Sequence, residues 1–377
     1  MSDVAELTGR LVEIESINPD VVAGGSGELG LAQFVAEWCE RAGLETTLTE
    51  LRPGRANVVG VAPGSGGGRS LMLNAHMDTV GVAGMTDPFV PRIEAGRLYG
   101  RGAGDMKGSL AACMLATAAA AQRALRGDVI LTAVADEEFG SIGTEAVVAS
   151  IRADAAIVTE PTELRIAVAH RGFVHLEVEV HGRAAHGSRP DLGIDAIAKA
   201  GRVLVGIEEL DTRLRAGIPH AHLGTGSVHA SLIEGGQEFS SYPARCLLQA
   251  ERRTLPGESR DLAEHELLEI AARAGDGDPN FSATVRAPIW REPFEIAEDA
   301  EIVEAVRRHA TSTLGSTPET VGAPWWADSA LLADGGIPTV VFGPNGEGFH
   351  SEVEWVDIGS LEQCIEIYCR VAADLCS

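Results

Sequence analysis

At 377 residues the chain is long enough for two domains, and an apolar fraction of 45% supplies a sizeable core. A formal charge of −25 at pH 7 sets its surface against nucleic acid and anionic membranes as partners. No run of about eighteen apolar residues offers a spanning helix, and Met1-Ser2-Asp3-Val4-Ala5-Glu6 lacks the basic-then-apolar pattern of a signal peptide. Six cysteines, at 39, 113, 246, 364, 369 and 376, form no Cys-x-x-Cys pair and read as reduced core thiols of a cytoplasmic protein.

Helices are expected over 1–16 and 27–42. In the second, Leu31, Phe34, Val35 and Trp38 recur at helical spacing, with Gly43 as the stop signal. Apolar runs suited to strands follow at 56–61, 70–74, 129–134 and 156–159, with an Ala-rich helix over 106–126 between the second and third, closed by Gly127. From 173 the pattern changes. Val174, Leu176, Val178 and Val180 alternate with His175, Glu177 and Glu179, as in a half-exposed antiparallel strand. A helix striped by Ile197, Ala200, Val203, Leu204 and Ile207 is expected over 193–210. Alternation returns over 244–250, ahead of a helix over 259–273. From Ile296 the first pattern resumes, with a helix through His309, a strand over 339–342 and a last helix over 360–375. The economical reading is an α/β domain with a mainly parallel sheet, 1–172 and 293–377, interrupted by an inserted α+β domain at 173–292.

Chemistry-bearing residues gather just past these strands. His76 and Asp78 follow the strand at 70–74, and a metal-bound imidazole needs its second nitrogen held by a partner, which Asp78 is close enough to supply. Asp105 opens the Ala-rich helix behind Gly100, Gly102 and Gly104, where a helix start favours an anion. A phosphate loop does not fit this segment, because Lys107 precedes Gly108 where Gly-Lys-Ser/Thr is required. Glu137 and Glu138 end the strand at 129–134, Glu160 ends the strand at 156–159, and His350 lies beyond the strand at 339–342. In open α/β sheets, functional groups gather where strands end. Imidazoles and carboxylates suit zinc, and one glutamate is left over to act as a base.

The ordered set resembles the acetylornithine deacetylase / succinyl-diaminopimelate desuccinylase family of dizinc hydrolases, which also holds aminoacylases and glutamate carboxypeptidases. The resemblance runs from Asn74-Ala75-His76-Met77-Asp78-Thr79-Val80 through Gly102-Ala103-Gly104-Asp105-Met106-Lys107-Gly108, Asp136-Glu137-Glu138 and Glu160-Pro161-Thr162. It continues through Gly182-Arg183-Ala184-Ala185-His186-Gly187-Ser188 and Arg253-Thr254-Leu255-Pro256-Gly257-Glu258 to His350. It implies a zinc-peptidase-like catalytic domain interrupted by a dimerisation, or lid, domain. It also implies two Zn(2+) per chain, for which Co(2+) or Mn(2+) can substitute. Asp105 would bridge the ions, His76 and Glu160 completing one and Glu138 and His350 the other. Asp78 would orient His76, and Glu137 would be the general base. His186 would reach the partner subunit's active site and steady the oxyanion. Arg253 resembles the family arginine that grips the substrate carboxylate, with Arg252 a rival for that register. Where the family commonly has an asparagine, this chain has Ser240. Trp325 and Trp326 either line the acyl or side-chain pocket or pack the core.

The expected reaction is hydrolysis of an N-acyl amino acid to a carboxylic acid and a free amino acid. Glu137 takes the proton of the attacking water and returns it to the leaving amine. The rival readings are a dipeptidase or glutamate-type carboxypeptidase of the same family, and a metal-binding homologue that has lost catalysis. Glutamate rather than aspartate at position 160 resembles the deacylases, and an intact Glu137 argues against lost catalysis. The expected partners are the small-molecule N-acyl amino acid or dipeptide and a second copy of the chain in a homodimer, with no nucleic acid and no membrane.

Overall fold

The computed structural model of the chain describes residues 2–82 and 84–377. The backbone divides into two compact units. One is Met1–Val168 with Ile296–Val321 and Ala327–Ser377; the other is Ala169–Glu295 with Gly322–Trp326.

The sheet of the first unit runs in space Glu45–Arg52, Arg55–Ala62, Val129–Val134, Leu71–His76, Ala155–Val158, Thr339–Val341, flanked by Ile166–His170. The four strands from Val129–Val134 to Thr339–Val341 are parallel, and the outer pairings are antiparallel. The parallel strands are buried on both faces, which is why they read as unbroken apolar runs. Helix Gly108–Ala121, buried along most of its length, packs on the sheet and against Asp3–Val12 and Ile358–Leu375. Leu31, Val35 and Cys39 sink the helix Leu29–Arg41 into the same core.

Several boundaries move for identifiable reasons. The Ala-rich helix starts at Gly108, because Ala103–Lys107 forms a wider turn in which Asp105 and Met106 leave helical geometry. The helix expected from Ile296 begins at Glu301, since Ile296 still donates its N–H outside any helix, to the Val168 carbonyl. The last helix begins at Ile358, where the Asp357 carboxylate caps the Ser360 N–H at 2.7 Å. Strand Glu45–Arg52 has no expected counterpart, because its polar residues lie at an exposed sheet edge and carry little apolar pattern.

Parallel strands in register open at one edge. His76 stands opposite Val134, and Asn74 and Val341 both stand opposite Val158. Segments 76–78, 135–138, 159–160 and 342–350 therefore leave the sheet on the same side. A small antiparallel sheet pairs Arg97–Tyr99 with Trp355–Asp357, bringing the loop after Tyr99 beside the loop before Trp355.

The second unit has an antiparallel sheet in the order Ser227–Gly235, Arg245–Thr254, Gly172–His181, Ser282–Arg291. Val174, Leu176, Val178 and Val180 are all buried, under helices Ala196–Arg215 and Arg260–Ala274. Asp195 and Ser259 cap these two helices with their side chains, accepting the N–H groups of Ala198 and Leu262.

Candidate metal centre

The edge where the parallel strands end collects His76, Asp78, Asp105, Glu137, Glu138, Glu160 and His350. Asp105 stands between the two histidines. Its Oδ1 lies 2.9 Å from His76 Nε2 and its Oδ2 3.4 Å from His350 Nε2. Glu160 Oε1 is 3.6 Å from the same His76 nitrogen, and Glu138 Oε2 is 3.2 Å from the same His350 nitrogen. Ligand atoms of His76, Asp105 and Glu138 lie within 4.8 Å of one another, as do those of His76, Glu137 and Glu160.

Asp78 sits differently from a simple partner of His76. His76 Nδ1 meets the Asp78 main-chain carbonyl at 3.0 Å, and the Asp78 carboxylate only at 3.6 Å. That carboxylate instead accepts the N–H groups of Glu137 and Glu138, both at 3.1 Å, and the Asn18 amide at 2.8 Å. Asn18 also donates to Asp136 at 2.9 Å, and Arg55 joins Asp136 at 2.7 Å to Glu28 at 2.7 and 2.9 Å. Asn18, Arg55, Glu28 and Asp136 are all buried. The glutamate pair thus rests on a polar floor that includes a compensated arginine.

The electrostatics call for positive charge. Burial, then the neighbouring Glu160, raises Glu137 well above the usual carboxylate range; burial raises Glu138 and Glu160 as well. Asp105 and Glu138, by accepting hydrogen bonds from the His350 ring, lift it to about 10. Burial opposes protonation of His76, yet Glu160 and Asp105 push it upward. The carboxylates around both imidazoles thus favour positive charge at these positions, which a bound cation would supply. Glu138 Oε1 is buried with no hydrogen-bond partner among the described residues, an orphan that a cation satisfies. The oxygen and imidazole donors fit one or two divalent metal ions.

The remaining expected residues belong to the second unit. His186 is exposed, and its Nδ1 meets Ser188 Oγ at 2.8 Å and accepts the Ser188 N–H at 3.2 Å. A neutral ring with Nδ1 accepting carries its proton on Nε2. Arg252 is buried and committed to Glu258 at 2.9 Å and Glu266 at 3.1 Å. Arg253 is partly exposed, lies over the Phe173 ring and pairs with Glu251 at 2.9 Å. Ser240 is exposed, and its carbonyl accepts the Gly187 N–H. Trp325 is half-buried. Trp326 donates its indole N–H to the Glu292 carbonyl and packs edge-on against His170 and Phe173.

Three features escaped the motifs. Asn18 and Glu354, both buried, reach the site only through partners far along the chain. Asp328 is a buried carboxylate bonded to Thr144 at 2.6 Å and raised to about 6 by burial. Its position in Trp325-Trp326-Ala327-Asp328-Ser329, beside the tryptophans, was the available signal.

Comparison with known proteins places this geometry. The model of peptidase family M20/M25/M40 matches residues 72–374. An acetylornithine deacetylase of Myxococcus xanthus is 33% identical, over 85% of this chain and 84% of its own. An N-formyl-4-amino-5-aminomethyl-2-methylpyrimidine deformylase of Halalkalibacterium halodurans is 29% identical, over 88% and 85%. In fold, the chain is similar to an M20 family metallo-carboxypeptidase of Sulfolobus solfataricus, with a TM-score of 0.79 at 19% identity and 98% of both chains covered. The family match, from 72 to 374, runs through both units and includes every position from His76 to His350. The chain belongs to peptidase family M20/M25/M40 and is a hydrolase acting on amide bonds.

Proposed function

We propose that this chain hydrolyses N-acyl amino acids, with two zinc ions per chain held by His76, Asp105, Glu138, Glu160 and His350. The observation that carries the reading is Asp105, whose two oxygens face two separate imidazoles, each with its own further carboxylate. When bound, the ions supply a Lewis acid and a water acidified to a pKa of roughly 7.

The chain's own residues do the rest. Glu137, within reach of His76 and Glu160 and held by its main chain on Asp78, takes the water proton and returns it to the leaving amine. Arg253 receives the free carboxylate of the amino-acid half, because it is partly exposed and held by one glutamate, whereas Arg252 is buried between two. His186 offers Nε2–H to the oxyanion. We assign that contact to the site of a partner subunit, in a homodimer formed through the inserted domain. Strand Ser227–Gly235 supports this assembly: it is a sheet edge with Leu232 64% and Ile233 57% exposed. Relatives named as a deacetylase and a deformylase favour acyl-group removal over peptide cleavage.

The test is a turnover panel of N-acyl amino acids and dipeptides, on metal-stripped protein resupplied with Zn(2+). Acylated amino acids should be cleaved with the higher kcat/KM. A panel led by dipeptides would replace this reading with the peptidase one.

A further inference from the structure

Beneath the Asp105 loop lies a carboxylate that no motif announces. Glu354 is 1% exposed. Its Oε2 accepts from Arg101 Nη1 at 2.6 Å and from the Gly102 N–H at 2.9 Å. Its Oε1 accepts the Gly104 N–H at 2.9 Å and the N–H of Asp105 itself at 3.0 Å. Three of the four donors are main-chain groups of the segment that presents Asp105.

Arg101, 2% exposed, continues the connection. Its Nη2 donates to the Ser351 carbonyl at 3.0 Å and its Nε to the Gly81 carbonyl at 3.0 Å. Ser351 adjoins His350. The two loops also lie flush: a Cβ on Gly104 would stand 2.4 Å from the Phe349 ring, so only glycine fits there. The pairing of Tyr99 with Trp355 sets both loops at neighbouring strand ends.

A buried ion pair is a weak source of net stability, because desolvation offsets the attraction. This one holds every group it touches in a defined place. We propose that the Arg101–Glu354 pair is a positioning device that fixes Asp105 and His350 relative to each other, and so governs the metal position those two share with Glu138. The proposal rests on the dinuclear reading above. The other position also uses Asp105, but of its remaining ligands His76 ends a strand of the main sheet and Glu160 lies two residues past one. His350 instead lies in a loop, at a φ of 61° and with its side chain 54% exposed. Disturbing the pair therefore falls mainly on one of the two ions.

The test is calorimetric titration of metal-stripped protein with Zn(2+), for wild type, Glu354→Gln and Arg101→Lys. Glu354→Gln sets an amide donor against main-chain donors. Arg101→Lys keeps the buried charge and loses the forked reach to Ser351, so it stays informative if the first variant folds poorly. Wild type should bind two ions. Each variant should keep one at wild-type affinity and weaken the other by roughly 10- to 100-fold, the usual effect of removing a ligand's supporting hydrogen bonds. Two ions bound by wild type and by both variants with unchanged affinities would overturn the proposal alone, as would equal weakening of both ions. Fewer than two ions on wild type would overturn the dinuclear reading, and the proposal with it.

Discussion

The Asp78 carboxylate holds Glu137 by its main chain: Oδ1 accepts the Glu137 N–H at 3.1 Å, while Oδ2 takes that of Glu138 at the same distance. The backbone of Glu137 is thereby held, which leaves its side chain for the proton transfer proposed above. Glu137→Gln keeps this main-chain contact and removes only the proton acceptor. Metal content should stay at the wild-type value, with kcat falling ~10²- to 10⁴-fold and KM changing far less. Retention of more than about a tenth of kcat, a change of only ~1.4 kcal/mol in the barrier, would remove Glu137 as the base.

Asp105→Ala deletes the carboxylate that faces both His76 and His350. Without a shared anion, two cations held by the remaining ligands repel each other. Elemental analysis after dialysis should find the variant depleted of both ions. Two ions retained would take Asp105 out of the bridge.

Arg55 is the cation that compensates Glu28 and Asp136, with side-chain exposures of 3%, 0% and 2%. Arg55→Met leaves two buried carboxylates facing each other. Breaking such a cluster from one side typically costs ~3–5 kcal/mol. Urea unfolding of Arg55→Met should show a midpoint lowered accordingly, and a double variant Arg55→Met/Glu28→Gln should recover part of the loss.

His186→Ala should lose roughly 10²–10³ in kcat, the worth of one oxyanion donor, with metals and dimer retained. If His186 serves the partner's site, mixing His186→Ala with Glu137→Ala creates dimers in which one site carries both lesions and the other neither. Subunit exchange should then restore activity, up to half the wild-type value per mixed dimer. Exchange without recovery would place His186 within its own chain's chemistry or outside the chemistry altogether.

The residues that end or follow parallel strands were legible from the sequence because the strands were. Leu71–His76, Val129–Val134 and Ala155–Val158 are buried runs with no polar face to blur them; His76 closes the first, and Glu137, Glu138 and Glu160 lie in the short segments that follow the other two. Exposed edge elements were not legible. Ser227–Gly235 and Ser282–Arg291 carry mixed residues facing solvent, and their pairing is set by neighbours rather than by their own pattern. The supporting polar residues were hidden for another reason. Asn18 meets Asp78 across 60 positions, and Glu354 meets Gly102 across 252, so no local spacing reveals either contact. Neither did spacing show that Arg252 is buried against two glutamates, one six and one fourteen positions on, while Arg253 stays partly exposed.

Five of the six cysteines, Cys39, Cys113, Cys246, Cys364 and Cys376, are free and buried, and Cys369 is half-buried. Burial raises all six thiols, Cys39 and Cys113 to about 12 and Cys376 to about 11. Thiolate, the reactive form, is therefore scarce in the folded chain at neutral pH. The native protein should behave as a silent background for thiol chemistry. A single reporter introduced by Phe239→Cys, at a fully exposed loop residue of the second unit, would take up a fluorophore or spin label far ahead of the native thiols. Movements of the second unit could then be followed in solution without first deleting any cysteine from the core.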